Sequence, residues 1–277
     1  MTTTRAGDVA VAVDGPVVRV TIDRPAARNA INEAVVDGLE AALDMAEASR
    51  AKVVVLRGSG GTFCAGADLK LVQTMVGDRD LMAGYVTRLA NITERLEAGP
   101  FVSLAVVEGF ALAGGCELLL ACDISVAADG ARIGDRHLEY GLAPGAGGSV
   151  RLVRALPKAQ ARYLLLTGQA ITGTQAAEWG LVTLAVPGDD LDATAERIVG
   201  RLASRSGDAL RAVKAMVTAA GTERSVNEAM LAEREIFVDF ISTSPDVKEG
   251  LSAFAEGRPP RFPGVRGVPE NKPEENR

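Results

Sequence analysis

Two side chains able to move protons stand in unusual surroundings in this sequence. Glu117 lies in the apolar run GGCELLL, where burial penalises a carboxylate unless it is paired or used in chemistry. His137, in the segment IGDRHLEYGLAPGAGGS, is the only histidine of the chain, and imidazole titrates near neutral pH. Both are candidates for acid–base catalysis. The alternatives are a structural salt bridge for Glu117 and a pocket-lining or carbonyl-bound role for His137.

Two glycine-rich turns offer main-chain N–H groups. The first, LRGSGGTFCAGADLK at 56–70, lacks both the GxxxxGK[ST] pattern of a phosphate loop and the GxGxxG pattern of a dinucleotide site. Its Gly66-Ala67 step allows a sharp turn that presents an N–H group to a cleft. In the second turn, Gly114-Gly115 opens a helix with free N–H groups suited to a developing negative oxygen. Each turn alone is compatible with a structural role, so their joint occurrence with Glu117 carries the functional prediction.

Alternating strands and helices are expected to position these turns. The pattern predicts a hairpin over 9–13 and 17–22 and a helix capped by Asn32. Strands and helices then alternate as far as residue 127, which predicts an α/β protein with a mainly parallel sheet. These elements are the strands 53–56, 101–106 and 123–127, a helix over 80–98 and a short helix from 114. Helices predominate from about residue 151 to residue 256.

Composition narrows the class of protein. The chain has 277 residues, of which 47% are hydrophobic and 4% aromatic, so small aliphatic side chains must build a large core. A net charge of -6 argues against general nucleic-acid binding. We expect no membrane partner and a cytoplasmic location, because no segment approaches the ~20 apolar residues of a membrane span and the N-terminus lacks a secretory signal. Three dispersed cysteines and a single histidine indicate no metal site.

Five segments together resemble one known family. They are RPAARNAIN (24–32), VVVLRGSGGTFCAGADLK (53–70), VEGFALAGGCELLLACDISVAAD (107–129), GLAPGAGG (141–148) and LLTGQAITGTQAAEWGLV (165–182). In order and spacing they are similar to the enoyl-CoA hydratase/isomerase family, the crotonase superfamily. The resemblance runs through nearly the whole chain. As a joint pattern it is specific, whereas each segment alone is not.

The resemblance implies an α/β fold with a crotonase-like spiral ββα core and an acyl-CoA site over residues 1–200. A helical C-terminal oligomerisation region with a loose tail is implied over 201–277, with homotrimers or dimers of trimers as the assembly. CoA is then part of the substrate, and no other cofactor is needed. The family's oxyanion hole falls on the N–H groups of Ala67 and Gly114. Its substrate- and CoA-binding positions fall on Arg24, Ala65, Ala67, Asp68, Leu69 and Lys70. The alternative for Arg24 and Lys70 is that they are solvent-exposed charges with no role in binding.

One position departs from the family's pattern. Hydratases of the family use two glutamates; Glu117 matches the first, and an ungapped count between flanking motifs puts His137 at the second. The predicted activity is hydration of a 2-enoyl-CoA by Glu117 and His137. Alternatives are double-bond isomerisation, hydrolysis of a CoA thioester or C–C bond, and non-catalytic acyl-CoA binding. Asp135, His137 and Glu139 share a face if their segment is extended, and are separated if it is helical.

Overall fold

The structure is a computed structural model that describes residues 2–222 and 225–262. In these ranges the strands build one sheet of seven strands and one of three. The larger sheet contains, in spatial order, β1 (Thr2–Ala6), β2 (Val9–Asp14), β3 (Val17–Ile22), β4 (Val53–Gly58), β5 (Val102–Val107), β7 (Ile124–Ala128) and β10 (Leu184–Val186). The smaller sheet contains β6 (Phe110–Leu112), β8 (Arg132–Gly134) and β9 (Ile171–Thr172). The helices are α1 (Glu33–Ala48), α2 (Leu69–Met75), α3 (Arg79–Ala98), α4 (Gly114–Leu120), α5 (Gly148–Ala155), α6 (Lys158–Thr167), α7 (Gly173–Glu178), α8 (Leu191–Ala203), α9 (Gly207–Thr222), α10 (Val226–Thr243) and α11 (Pro245–Glu256).

The larger sheet changes from antiparallel to parallel at β3. The predicted hairpin is present, since β2 pairs with β3 in antiparallel register, and β1 extends it on the outer side. From β3 onward the neighbours β4, β5, β7 and β10 are all parallel. All six residues of β5 are buried, as expected for a central parallel strand covered on both faces.

Successive turns of the chain repeat one path. Each turn leaves a strand of the larger sheet, adds a short extended piece to the smaller layer and returns through a helix. Parallel bridges join these pieces: Ile31 pairs with Ala67, Cys64 pairs with Ala111, and Ala111 also pairs with Ile133. This repeating path is the spiral ββα core that the family resemblance implies, and its register brings together the residues that follow each piece.

The first helix forms where the sequence predicts it. The Asn32 side chain accepts a hydrogen bond from the N–H of Val35 at 2.9 Å, which satisfies a donor at the free end of α1. The apolar residues at helical spacing are all buried, namely Val35, Val36, Leu39, Leu43 and Ala46. Their burial fixes α1 against β1, β2 and β3.

A buried lysine ties the C-terminal helices to the core. Nζ of Lys214, on α9, lies 2.8 Å from the carbonyl oxygens of Leu96 and Phe101 and 2.8 Å from Oδ2 of Asp123. These acceptors and the carboxylate compensate the loss of hydration of the ammonium group. Helix α10 packs on α9. The boundary at residue 200 stays a prediction, and the expected loose end of the tail lies in residues 263–277, outside the described ranges.

The short strands were not anticipated by the sequence pattern. Strands such as β6, β8 and β10 have three residues each, and β9 has two, which is too short to display a period of two. Three of these strands, β6, β8 and β9, form the smaller layer beside the glycine-rich turns, whereas β10 lies at the edge of the larger sheet. Among the described helices, none combines the length and the apolar character needed to cross a membrane.

Candidate active site

Two connected cavities lie beside the glycine-rich turns. The outer cleft, of about 590 Å³, is walled by the 24–30 loop, the 65–70 turn and the 136–142 turn. It meets a smaller inner pocket of about 110 Å³ at Ala67, His137 and Leu142, which line both cavities. The remaining inner-pocket walls are largely apolar and come from α2, α3, α4 and the 142–146 segment, with Val72, Met82, Tyr85, Val86, Leu89, Gly114, Glu117, Ala143, Gly145 and Ala146.

The main-chain nitrogens of Ala67 and Gly114 lie next to each other where the two cavities meet. A Cβ atom added to Gly114 would lie 3.5 Å from the nitrogen of Ala67, and one added to Gly66 would lie 3.4 Å from the nitrogen of Gly114. Within the described residues, neither N–H group donates to a main-chain acceptor. The closeness follows from the register, since Ala67 and Gly114 follow the bridged pair Cys64 and Ala111 at equal distances along the chain. Two free N–H groups at one place can bind a single negatively charged oxygen.

The Gly114 N–H group follows a residue with a strained backbone conformation. Ala113 precedes α4 with φ of 49° and ψ of -120°, a conformation that typically costs a non-glycine residue ~1–3 kcal/mol. Its own N–H group donates to the carbonyl of Gly134 at 3.1 Å. Gly66 has φ of 108°, which glycine adopts readily. The orientation of both donors is therefore fixed by main-chain geometry.

Glu117 is a buried carboxylate held by two main-chain donors. Its side chain is on α4, the residue is 2% exposed, and Oε1 accepts hydrogen bonds from the N–H groups of Ala146 at 2.8 Å and Gly148 at 2.9 Å. Burial raises the pKa of the Glu117 carboxyl; the Gly148 N–H group, the charge of His137 and the Ala146 N–H group offset part of that rise. A carboxylate with a raised pKa inside a pocket is suited to proton transfer.

His137 lies in a 3-10 turn that pairs it with Asp135. The turn spans His137–Tyr140, and the imidazole Nδ1 lies 2.9 Å from Oδ1 of Asp135. Glu139 points elsewhere and forms a salt bridge with Arg136. Burial of the ring lowers the pKa of His137, but the hydrogen bond and charge of Asp135, together with the charge of Glu117, outweigh that effect and raise it. The helical alternative for this segment is therefore correct, with Asp135 rather than Glu139 as the neighbour of the imidazole.

The predicted substrate-binding positions all line the outer cleft, but their contacts differ. Arg24 is braced by carboxylates, with Nε 3.0 Å from Oδ2 of Asp8 and Nη2 3.1 Å from Oδ2 of Asp68. Asp68 also caps α2 by accepting from the N–H of Lys70 at 3.1 Å. Leu69 and Lys70 are exposed on the rim. Arg24 and Asp68 thus stabilise the 65–70 turn, while Lys70 is available to a ligand.

Further cleft residues were missed by the sequence analysis. Arg28 and Arg136 also line the outer cleft, and the Arg28 guanidinium lies 5.5 Å from the centroid of the Phe110 ring. The signal for Arg28 was its place in the RPAARNAIN segment, from which only Arg24 was selected. In the inner pocket, the Tyr85 hydroxyl donates to the carbonyl of Ile31 at 3.0 Å. That carbonyl also accepts from the N–H of Asp68 at 2.9 Å.

Comparison with known proteins places the chain in a family. The profile of the family described as enoyl-CoA hydratase/isomerase matches residues 13–265. The probable enoyl-CoA hydratase echA8 of Mycobacterium bovis is 36% identical over 244 residues, 88% of this chain and 93% of the relative. The 2,3-dehydroadipyl-CoA hydratase of Escherichia coli is 36% identical over 249 residues, covering 90% and 95%.

A solved structure agrees with these relatives. The crystal structure of enoyl-CoA hydratase from Mycobacterium tuberculosis superposes with a TM-score of 0.81 at 35% identity, covering 92% of this chain and 98% of that one. The fold class and the family predicted from the sequence are both confirmed. The chain belongs to the enoyl-CoA hydratase/isomerase family.

Proposed function

We propose that this enzyme is an enoyl-CoA hydratase that adds water across the α,β double bond of a 2-enoyl-CoA thioester. The observation that carries the proposal is the pair of adjacent N–H groups of Ala67 and Gly114, beside a pocket lined by Glu117 and His137. When water attacks the β carbon, negative charge moves to the thioester oxygen. Two fixed donors stabilise that charge, and loss of one such donor typically costs ~3–4 kcal/mol.

Glu117 and His137 supply the proton transfers in this proposal. Hydration requires one group that takes a proton from water and one that delivers a proton to the α carbon. Both side chains line the inner pocket, as do Ala67 and Gly114. Their location supports chemistry at the two carbons next to the thioester.

The CoA part of the substrate is assigned to the outer cleft. The 65–70 turn supplies the positions predicted for CoA contacts, and the cations Arg28, Lys70 and Arg136 stand along the walls. A cationic, open cleft suits a phosphate-bearing group. CoA then enters with the substrate, and no additional cofactor is required. In the described ranges no three His, Cys, Asp or Glu side chains group as metal ligands would, and a metal-free reaction stays a prediction.

The inner pocket favours a short acyl group. Its volume of about 110 Å³ is smaller than the ~150 Å³ of a cavity known to hold benzene. We expect an acyl chain of about four carbons to fill such a space, and a longer chain to push against the pocket walls, to which α3 contributes Met82, Tyr85, Val86 and Leu89. We therefore expect a short 2-enoyl-CoA to be the preferred substrate.

The test follows the absorbance of the conjugated enoyl thioester with the full-length protein. A four-carbon 2-enoyl-CoA should be hydrated, and Glu117→Gln should lower kcat about a thousandfold, within the range of acid–base catalysis. Gln can still accept the Ala146 and Gly148 hydrogen bonds, so folding should be retained. Glu94→Gln, an exposed change on α3, is the matched control and should not alter the rate. Equal rates for wild type and Glu117→Gln would remove Glu117 from the mechanism.

Double-bond isomerisation is the second candidate. It is favoured by the replacement of the family's second glutamate by His137, because one base can carry a proton along the acyl chain. Incubation of a 3-enoyl-CoA with the enzyme distinguishes the two reactions by product analysis. Faster formation of the 2-enoyl product than of the hydrated product would identify an isomerase. Free CoA as the product would identify a hydrolase, and tight binding without turnover a non-catalytic binding protein.

Self-association into homotrimers, or dimers of trimers, is proposed for the C-terminal helices. Large apolar side chains are exposed on α9, α10 and α11, including Val217, Phe237, Val238, Leu251 and Phe254. An apolar surface of this kind is typical of an interface. Light scattering should give the mass of a trimer or hexamer, and Val238→Asp should lower it. A monomeric wild-type protein would contradict the proposal.

A further inference from the structure

Asp135 is a buried carboxylate with a single side-chain partner among the described residues. It is 1% exposed, its Oδ1 lies 2.9 Å from Nδ1 of His137, and the same oxygen accepts from the His137 main-chain N–H at 3.3 Å. Its Oδ2 is buried and has no hydrogen-bond partner in the described part of the chain. A buried anion is costly unless a cation neutralises it. The imidazole of His137 is placed to do so.

Two arginines on the chain segments around Asp135 and Gly148 pair with other carboxylates. Arg136 pairs with Glu139, and Arg151 pairs with Glu97 through Nη2 at 2.7 Å. Among the described residues, His137 is therefore the basic side chain in hydrogen-bond contact with Asp135.

The contact also fixes which nitrogen of the imidazole carries hydrogen. An ionised carboxylate is only an acceptor, so Nδ1 must carry a hydrogen and Nε2 is left for the pocket. When the ring is protonated, Nε2 becomes a donor toward the bound substrate. Asp135 is placed to stabilise the imidazolium form, and its hydrogen bond and charge raise the pKa of His137 against the opposing effect of burial.

Gly148 brings the two carboxylates close to the same point. A Cβ added to Gly148 would lie 3.0 Å from Oδ2 of Asp135 and 3.1 Å from Oε1 of Glu117. The Gly148 N–H group meanwhile donates to Oε1 of Glu117. Because Gly148 has no side chain, Asp135 can contact the imidazole of His137 while Glu117 lines the inner pocket.

We propose that Asp135 is a positioning residue that keeps His137 protonated and directed at the substrate, so that His137 is the acid and Glu117 the base. The inference rests on the proposed hydration. Water gives a proton to Glu117 as its oxygen bonds to the β carbon, and the double-bond electrons move to the thioester oxygen. The enolate then returns its electrons to the α carbon, which takes the proton from Nε2 of His137. Transfer of the proton from Glu117 to His137 restores the starting state.

The first test compares wild type with Asp135→Asn in the full-length enzyme. Asn retains a hydrogen-bond acceptor but removes the charge, so kcat should fall on the order of a hundredfold, while KM changes less than about threefold. The alkaline limb of the kcat/KM profile should move to lower pH by about one unit or more, because the acid loses its proton more easily. Asp192→Asn, an exposed change outside both cavities, is the matched control. An unshifted alkaline limb in Asp135→Asn would overturn the proposal.

The second test is independent of activity. Because His137 is the only histidine, an untagged protein with labelled histidine gives one imidazole NMR signal, whose titration midpoint should exceed about 6.5 in wild type. Asp135→Asn should lower the midpoint, and Asp135→Glu should restore part of it. The other titratable groups around the ring are Glu117 on α4, Tyr85 across the pocket, and the Arg136–Glu139 pair.

The outcomes of the two tests separate the hypotheses. A wild-type midpoint at or below about 6.5 overturns the Asp135 proposal even if the variants do not fold. A raised midpoint that falls in Asp135→Asn supports it. Absence of hydration by the wild-type enzyme refutes the proposed function instead, without altering the NMR result.

Discussion

Two sets of turns in the spiral core supply different kinds of chemistry. The turns at Gly66–Ala67 and Ala113–Gly114 present main-chain N–H groups, whereas the next turn of the spiral presents the side chains Asp135 and His137. The first set depends on φ angles and on empty space beside the backbone. The second depends on which side chains the 3-10 turn brings together. Main-chain function is therefore tied to glycine and register, while side-chain function at the same site can be exchanged by substitution.

The largest expected effect comes from filling the space beside the main-chain donors. In Gly66→Ala the new Cβ would lie 2.9 Å from Cβ of Ala113 and 3.0 Å from the carbonyl oxygen of Leu112. Both N–H groups should move apart, and kcat/KM for a 2-enoyl-CoA should fall roughly 10²- to 10³-fold. Steady-state kinetics checks this value.

Gly77→Ala is the control for backbone strain. Gly77 also has a positive φ, of 87°, but a Cβ there meets nothing within 4 Å. It should lose stability without loss of activity. Equal losses of activity in the two variants would show that strain alone, rather than displacement of the donors, explains Gly66→Ala.

Filling the space at Gly148 should disturb the side-chain groups and leave the main-chain donors in place. Gly148→Ala inserts a Cβ between Asp135 and Glu117, so kcat should fall about 10- to 100-fold, since small misplacements of reacting groups are costly. Gly200→Ala in α8, where a Cβ has open space, should instead preserve activity and slightly increase stability. An unchanged rate in Gly148→Ala would mean that the two carboxylates adjust freely.

Removing cations of the outer cleft should weaken substrate binding without disturbing either set of turns. Arg28→Ala and Lys70→Ala remove cations of the outer cleft. Each should raise KM by up to about tenfold with little change in kcat, because the lost interaction is equal in the ground and transition states. The effect should shrink at high salt. A fall in kcat at constant KM would instead place these side chains in the chemical step.

The fourth and smallest effect concerns stability rather than rate. Because burial raises the pKa of Glu117 in the folded state, the folded protein binds this proton more tightly than the unfolded chain, and stability falls as pH rises above the unfolded value of about 4.3 through the folded pKa. Glu117→Gln escapes this loss. The free energy of unfolding of Glu117→Gln should exceed that of wild type by ~1 kcal/mol at alkaline pH. The difference should shrink toward acid pH. Denaturant unfolding at several pH values measures it, with Glu94→Gln expected to follow wild type.

The sequence predicts most of the fold because its helices are long and strongly periodic. Helix α3 spans Arg79–Ala98 against a predicted 80–98, α4 begins at Gly114 as predicted, and α1 begins after the predicted Asn32 cap. The smaller layer was not predicted, because its pairing is between residues distant in sequence, such as Cys64 and Ala111. Local periodicity contains no information about such bridges.

The candidate site was predicted unevenly for a related reason. The glycine-rich turns suggested main-chain donors, and the family resemblance assigned that role to Ala67 and Gly114. Glu117 was selected mainly by its place after Gly114-Gly115, and also by its apolar neighbours. The partner of His137 depends on the backbone conformation of a short turn, so Asp135 could not be chosen over Glu139. Arg24 is braced by Asp8 and Asp68, a contact between separate segments that sequence reasoning could not foresee. The assignment of roles to these residues stays a prediction.

The Tyr85 hydroxyl links a wall of the inner pocket to the turn that carries the Ala67 N–H group. Tyr85 shares the carbonyl of Ile31 with the N–H of Asp68, the residue after the Ala67 donor. Under the proposed function, we expect an acyl chain that presses on α3 to disturb the Tyr85 hydrogen bond to the Ile31 carbonyl, which also accepts from the N–H of Asp68. We expect a substrate with too long an acyl chain to bind and yet to turn over slowly, because the Ala67 N–H group would be displaced from the thioester oxygen. Selection among acyl chain lengths would then be seen as differences in kcat rather than in KM.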